Sequence, residues 1–80
     1  MTTRTIAHAA EDIIAAWGAD KIYFGAKPYL LAMLCLRNAW DKYGEDDARS
    51  IVRYFLANAR TFKGPVAKAL KAELKTMIGD

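Results

Sequence analysis

Apolar residues recur every three to four positions along most of this chain, the spacing of helices that bury one face. Ile6, Ala10, Ile13, Ile14 and Trp17 form a first stripe, with His8, Glu11 and Asp12 opposite, and predict a helix over about residues 5–17. The early threonines are N-cap candidates, and Gly18 suits the stop. Pro28 suits the start of a second helix, because its fixed φ and missing N–H do no harm there. That helix is predicted over about residues 28–43, with Tyr29, Met33, Leu36, Trp40 and Tyr43 on its main face. Its first turns are apolar on the other side too, through Leu30, Leu31, Leu34 and Cys35. A helix apolar all round is buried all round. Helix 28–43 is therefore expected to be the central element, or to have its back covered by a second subunit in a homodimer.

A third helix is predicted over about residues 46–60, burying Ala48, Ile51, Val52, Phe55, Leu56 and Ala59. Glu45, Asp46 and Asp47 place negative charge at the positive end of its dipole. Thr61–Pro65 turns the chain, and a fourth helix follows over about residues 65–78, with Val66, Leu70, Leu74 and Met77 inward. The pattern contains no strand-like alternation and no internal repeat. The expected fold is all-α, a compact four-helix single domain spanning residues 1–80.

Composition sharpens this picture. Eighty residues suit one core. A hydrophobic content of 54% with 11% aromatic residues argues against disorder. The longest fully apolar run, Tyr29–Leu36, is far short of the ~20 residues a membrane span needs. The N-terminal residues lack the apolar stretch of a signal peptide. A soluble cytoplasmic protein is expected, with no membrane partner. Cys35 is the single cysteine, and its apolar neighbours make it a core filler rather than a reactive thiol.

Charge is uneven. Residues 1–48 carry −2 and residues 49–80 carry +5, giving the net +3. Arg49, Arg53 and Arg60 line one flank of the third predicted helix within about 40° of arc. Lys63 precedes a second basic stripe, Lys68, Lys71 and Lys75, on the fourth. These four lysines are the candidate phosphate contacts; the plainer reading is a solvated helix face. A helix-turn-helix comparison fails, because anchoring on Val66 puts Leu56 and Arg60 where a small residue and the turn glycine belong.

No chemistry of an enzyme is legible. His8 stands alone on a polar face without a nucleophile beside it. Glu45, Asp46 and Asp47 lack the alternating ligands of a calcium loop, and one Cys with one His cannot build a zinc site. No phosphate-binding or dinucleotide motif is present. Catalytic residues, metal ligands and cofactors are expected to be absent. Tyr23, Phe24 and Phe62, in connectors, and Tyr54, on the outer side of its helix, are the aromatics not claimed by a core. With Arg49, Arg53 and Arg60 they form the candidate partner surface, since interface hot spots favour aromatics and arginine; the equal alternative is that the four rings fold back to cover the core.

Two stretches, YFGAKPYLLAM (Tyr23–Met33) and DKYGEDDARSIVRYFLANARTFKGPVAKALKAEL (Asp41–Leu74), resemble short hypothetical proteins of tailed bacteriophages and prophages. The shared pattern is a YFGA-x-PYL-x-AM block before a D-x-YG-x-D-x-A-x-SIV-x-YFLANA block, then a T-(W/F)-x-G turn and a basic helix. The resemblance covers most of the chain from Tyr23 onward and carries no functional residues across. It implies a phage-type accessory protein that binds a bacterial host protein stoichiometrically, as inhibitor or adaptor. A nucleic-acid binder using the basic flanks is the alternative, and a minor virion or assembly component is a third.

Overall fold

A computed structural model describes residues 4–38 and 40–79. Helix α1 (Ile6–Trp17) leads through a turn-rich connector to the short α2 (Lys27–Met33). An irregular segment and a small hairpin, β1 (Lys42–Tyr43) and β2 (Asp46–Asp47), precede α3 (Ala48–Ala57) and α4 (Pro65–Met77). Helix α1 packs chiefly on α4, and α2 on α3. The Cα radius of gyration is 11.4 Å, close to the ~12 Å of a compact chain this long. The protein is mostly helical and compact. Its short α2 and the hairpin set it apart from a regular four-helix bundle.

The ends of α1 follow local rules. Thr5 Oγ1 accepts the His8 N–H, and His8 Nδ1 accepts the Thr5 N–H, both at 3.1 Å. This reciprocal box satisfies two donors that the helix start would otherwise orphan. Two more are satisfied from a distance: the Ile6 and Ala7 N–H groups donate to the Arg37 and Leu36 carbonyls, at 3.1 and 2.9 Å.

Those two carbonyls explain why the predicted helix 28–43 stops at Met33. In a continuing helix, Leu36 and Arg37 would accept from Trp40 and Asp41. Here the Trp40 N–H donates to Asn38 Oδ1 (2.9 Å) and the Asp41 N–H to the Asn38 carbonyl (3.2 Å). Asp41 Oδ2 takes the Arg37 N–H at 2.8 Å. Short polar side chains thus offer the backbone an alternative to the helix, and α1 uses the carbonyls released. The consequences reverse several expectations. Trp40 is 80% exposed and Tyr43 is exposed, because neither lies on a helix face. Cys35 is exposed rather than a core filler. Helix α2 is not a long central element, and Leu31 remains exposed on its back.

The expected helix over residues 46–60 begins later, at Ala48. Asp46 pairs with Tyr43 and Lys42 with Asp47, so strand pairing takes the first residues. Asp47 is both the end of β2 and the N-cap of α3, its Oδ1 accepting the Ser50 N–H at 2.8 Å. That bond, with the Ser50 hydroxyl and then Arg49 and Arg53, holds the Asp47 carboxyl below its ordinary pKa. Helix α4 starts as predicted at Pro65. The residue before it, Gly64, has φ 109° and ψ 174°, a backbone shape essentially open to glycine alone.

The buried side chains form one cluster: Ile6, Ala9, Ala10, Ile13 and Trp17 from α1 meet Leu30 and Met33 from α2, Ile51, Val52 and Phe55 from α3, and Leu70 and Leu74 from α4. Leu36 and Ile78 seal its edges. Trp17 stacks on Phe62 with centroids 5.0 Å apart and meets Phe55 edge-on at 6.3 Å. Val66, expected inward, is exposed; Ala67 takes its place against the core. Arg4 ties the two ends of the chain together, bridging Asp12 and Glu73 at 2.8 Å each. Glu73 first, then Asp12, raises the guanidinium pKa still further.

Candidate partner-binding surface

The proposed partner residues separate into groups. Phe24 is 79% exposed, its ring 4.8 Å from that of Tyr23, which is also exposed. Tyr23 lines a recess of about 260 Å³ with Ala57, Asn58, Arg60 and Thr61. All four lie at the C-terminal end of α3 and in the turn beyond, so the connector before α2 folds against that end. Asn58 lies at this contact, its Nδ2 donating to the Tyr54 carbonyl one turn back on α3 at 2.8 Å. Tyr54 is exposed, and its ring lies 5.5 Å from that of Tyr29 on α2. Two aromatic pairs therefore flank Asn58, with Arg60 at the recess.

Gly25 fits this arrangement for a steric reason. A Cβ there would lie 2.6 Å from Tyr23 Cε2 and 3.1 Å from Asn58 Oδ1. Any side chain at position 25 displaces the Tyr23 ring.

Phe62 does not belong to the surface. It is 4% exposed and stacked on Trp17. Of the two fates open to a connector aromatic, Phe62 takes the fold-back one and covers Trp17. Arg53 is exposed, about 100° around α3 from Tyr54. Arg49 lies at the opposite end of α3, half-buried, in a separate recess with Asn38, Trp40, Thr76 and Gly79. Its Nε has no hydrogen-bond partner. Sequence reasoning missed Tyr29 and Asn58, and it placed Trp40 in the core. The asparagine had one available signal: Asn at a helix end, four residues after an outward Tyr, reaches back to that carbonyl.

The lysines also divide. Lys63 and Lys68 rim an open basin with Gly64 and Pro65 at the start of α4. Lys75 is exposed farther along α4. Lys71 lines the same basin but turns its amine toward the end of α3. Its Nζ donates to the Ala59 carbonyl at 2.8 Å and the Phe62 carbonyl at 2.6 Å, and sits 5.8 Å from the Phe62 ring centroid. Burial first, then Lys75 and Lys63, pushes its pKa below the ordinary lysine value. Lys71 is thus a clip closing the end of α3, with two of its three donors engaged.

His8 sits in the α1 capping box and not on a polar face without a role. Among the described residues no group of three or more His, Cys, Asp or Glu side chains is placed to hold a metal ion. No helix among them is long and apolar enough to cross a membrane. Comparison of the chain with protein-family models, curated proteins and solved structures gives no match.

Proposed function

We propose that this chain is a small accessory protein of the tailed-phage type that acts without catalysis, by binding a bacterial host protein stoichiometrically in the cytoplasm. The observation that carries the reading is the cluster of exposed rings, Phe24, Tyr23 and Tyr54, the last against half-buried Tyr29, arranged about Asn58 with Arg60 at the recess. Aromatic and arginine side chains grouped around a small recess are the usual anchors of protein interfaces. The recess is smaller than the ~300–1,000 Å³ of small-molecule sites, which favours a single protein side chain as its occupant.

The test is affinity capture from bacterial lysate treated with nuclease, read by mass spectrometry. One host protein, retained by the wild type and lost with Tyr23→Ala, Phe24→Ala or Gly25→Ala, is the expected result. Capture indifferent to all three substitutions would remove this surface from the reading.

The second reading is nucleic-acid binding on the basin at the start of α4, where Lys63 and Lys68 stand together. Lys71 lines the same basin, with two of its three donors given to carbonyls. A retained species that disappears with nuclease would support it. Self-association, in the form left by the short α2, would use the exposed Leu31 and Cys35. Light scattering giving the mass of one 8.9 kDa chain at high concentration would refute it.

A further inference from the structure

Charge around the aromatic surface specifies what kind of segment it takes. The surface is built from residues 23–29 and 53–61. They contain Lys27, Arg53 and Arg60 and no aspartate or glutamate. Arg60 lines the recess itself, and exposed Lys27 lies one turn along from Tyr23. The nearest carboxylate in sequence, Asp20, stands next to Lys21. The acidic group Glu45–Asp47 lies at the other end of α3, about 15 Å away by helix rise. There Asp47 already accepts from Ser50. An aromatic patch with cations beside it and no carboxylate among its own residues steers in segments of the opposite sign and repels like ones.

We infer that the segment bound here is an acidic one, seating an apolar or aromatic side chain in the Tyr23–Asn58 recess and setting carboxylates against Arg60 and Lys27. This rests on the protein-binding reading above and adds the chemistry of the partner to it. The rings supply contact area, and the cations supply selection and a fast encounter. Binding of this kind weakens with salt, because exposed charge pairs are screened.

The experiment uses the full chain, labelled with ¹⁵N, and follows amide shifts during titration with three synthetic peptides. Each has a Trp-Leu centre, flanked on both sides by glutamates, by glutamines or by lysines. A short DNA duplex is the fourth titrant. The expected result is that the glutamate peptide shifts Tyr23, Asn58 and Arg60 most. It should bind at least about tenfold more tightly than the glutamine peptide at low salt. The gap should close as salt is raised and in Arg60→Glu, an exposed substitution whose fold is checked by circular dichroism. Equal binding of the glutamate and glutamine peptides at these residues would overturn the acidic preference and leave the protein-binding surface standing. Shifts by every peptide that avoid Tyr23, Asn58 and Arg60 would overturn both. Tighter binding by the DNA duplex at the same residues would replace the acidic segment with nucleic acid.

Discussion

Replacing Lys71 with methionine keeps an unbranched apolar stem of similar reach and removes three N–H donors. In the native protein two of those donors satisfy the Ala59 and Phe62 carbonyls. A charged donor to a carbonyl contributes about 1.5–3 kcal/mol when well buried. The site here is only part-buried, so the lower end applies and part of each carbonyl's loss is recovered from water. The pair is then worth about 2 kcal/mol together, with up to ~0.5–1 from the ammonium near the Phe62 ring. A domain of this size has a total stability of about 4–12 kcal/mol, so the loss is large. It corresponds to a fall in Tm of roughly 8–16 °C. Urea unfolding of both proteins, followed by fluorescence of Trp17 beneath Phe62 and by circular dichroism, measures it. The sign of the pH dependence follows from the lowered pKa. The fold disfavours the ammonium, so this penalty is complete below the folded pKa and is relieved as pH rises toward 10.5, the unfolded value. A neutral amine still has two donors for the two carbonyls. The advantage of wild type over Lys71→Met should therefore grow on the alkaline side. A difference below about 0.5 kcal/mol, the range of ordinary surface substitutions, would refute the clip. Lys68→Met, on the exposed rim, is the control and should stay within that range.

Phe62→Ala should cost about 3–5 kcal/mol, as for a buried ring, whereas Phe24→Ala should leave urea stability within about 0.5 kcal/mol; similar losses from both would contradict the placement of the two rings. Cys35 should react completely with a thiol reagent in the folded protein, and protection until urea is added would show it buried. Asp47→Asn should be less stable than wild type at neutral pH. Because the folded pKa is depressed, that difference is fully present above 3.8 and should vanish as pH falls through the folded value. A constant gap across an acid titration would count against the capping role.

How far the fold could be read depended on whether a segment's hydrogen bonds are local. Helix α1, from the Thr5 cap to Gly18, and the start of α4 at Pro65 obey neighbour rules, and their boundaries agree with the pattern to within about a residue. The inward face of α3 was equally plain. The end of α2 was not, because Leu36 and Arg37 give their carbonyls to residues some thirty positions earlier. The apolar spacing of Tyr29, Met33, Leu36, Trp40 and Tyr43 imitated one helix across that break. The same limit applies to the surface. Tyr23, Phe24, Tyr54 and Arg60 were legible as uncommitted residues. For Phe62 the sequence left lid and anchor equally open, and for Lys71 it showed only a basic stripe, since the clip exists only when α3 and α4 meet.

The pairing of α1 with α4 has a consequence for how the chain folds. Ile6 and Ala7 find their acceptors only on Arg37 and Leu36, and the main packing partner of α1 lies farther still along the sequence. Arg4 meets Glu73 across 69 positions of sequence. Contacts this distant must close long loops before they contribute, so folding should be slower than in a helical chain whose neighbours in sequence are neighbours in space.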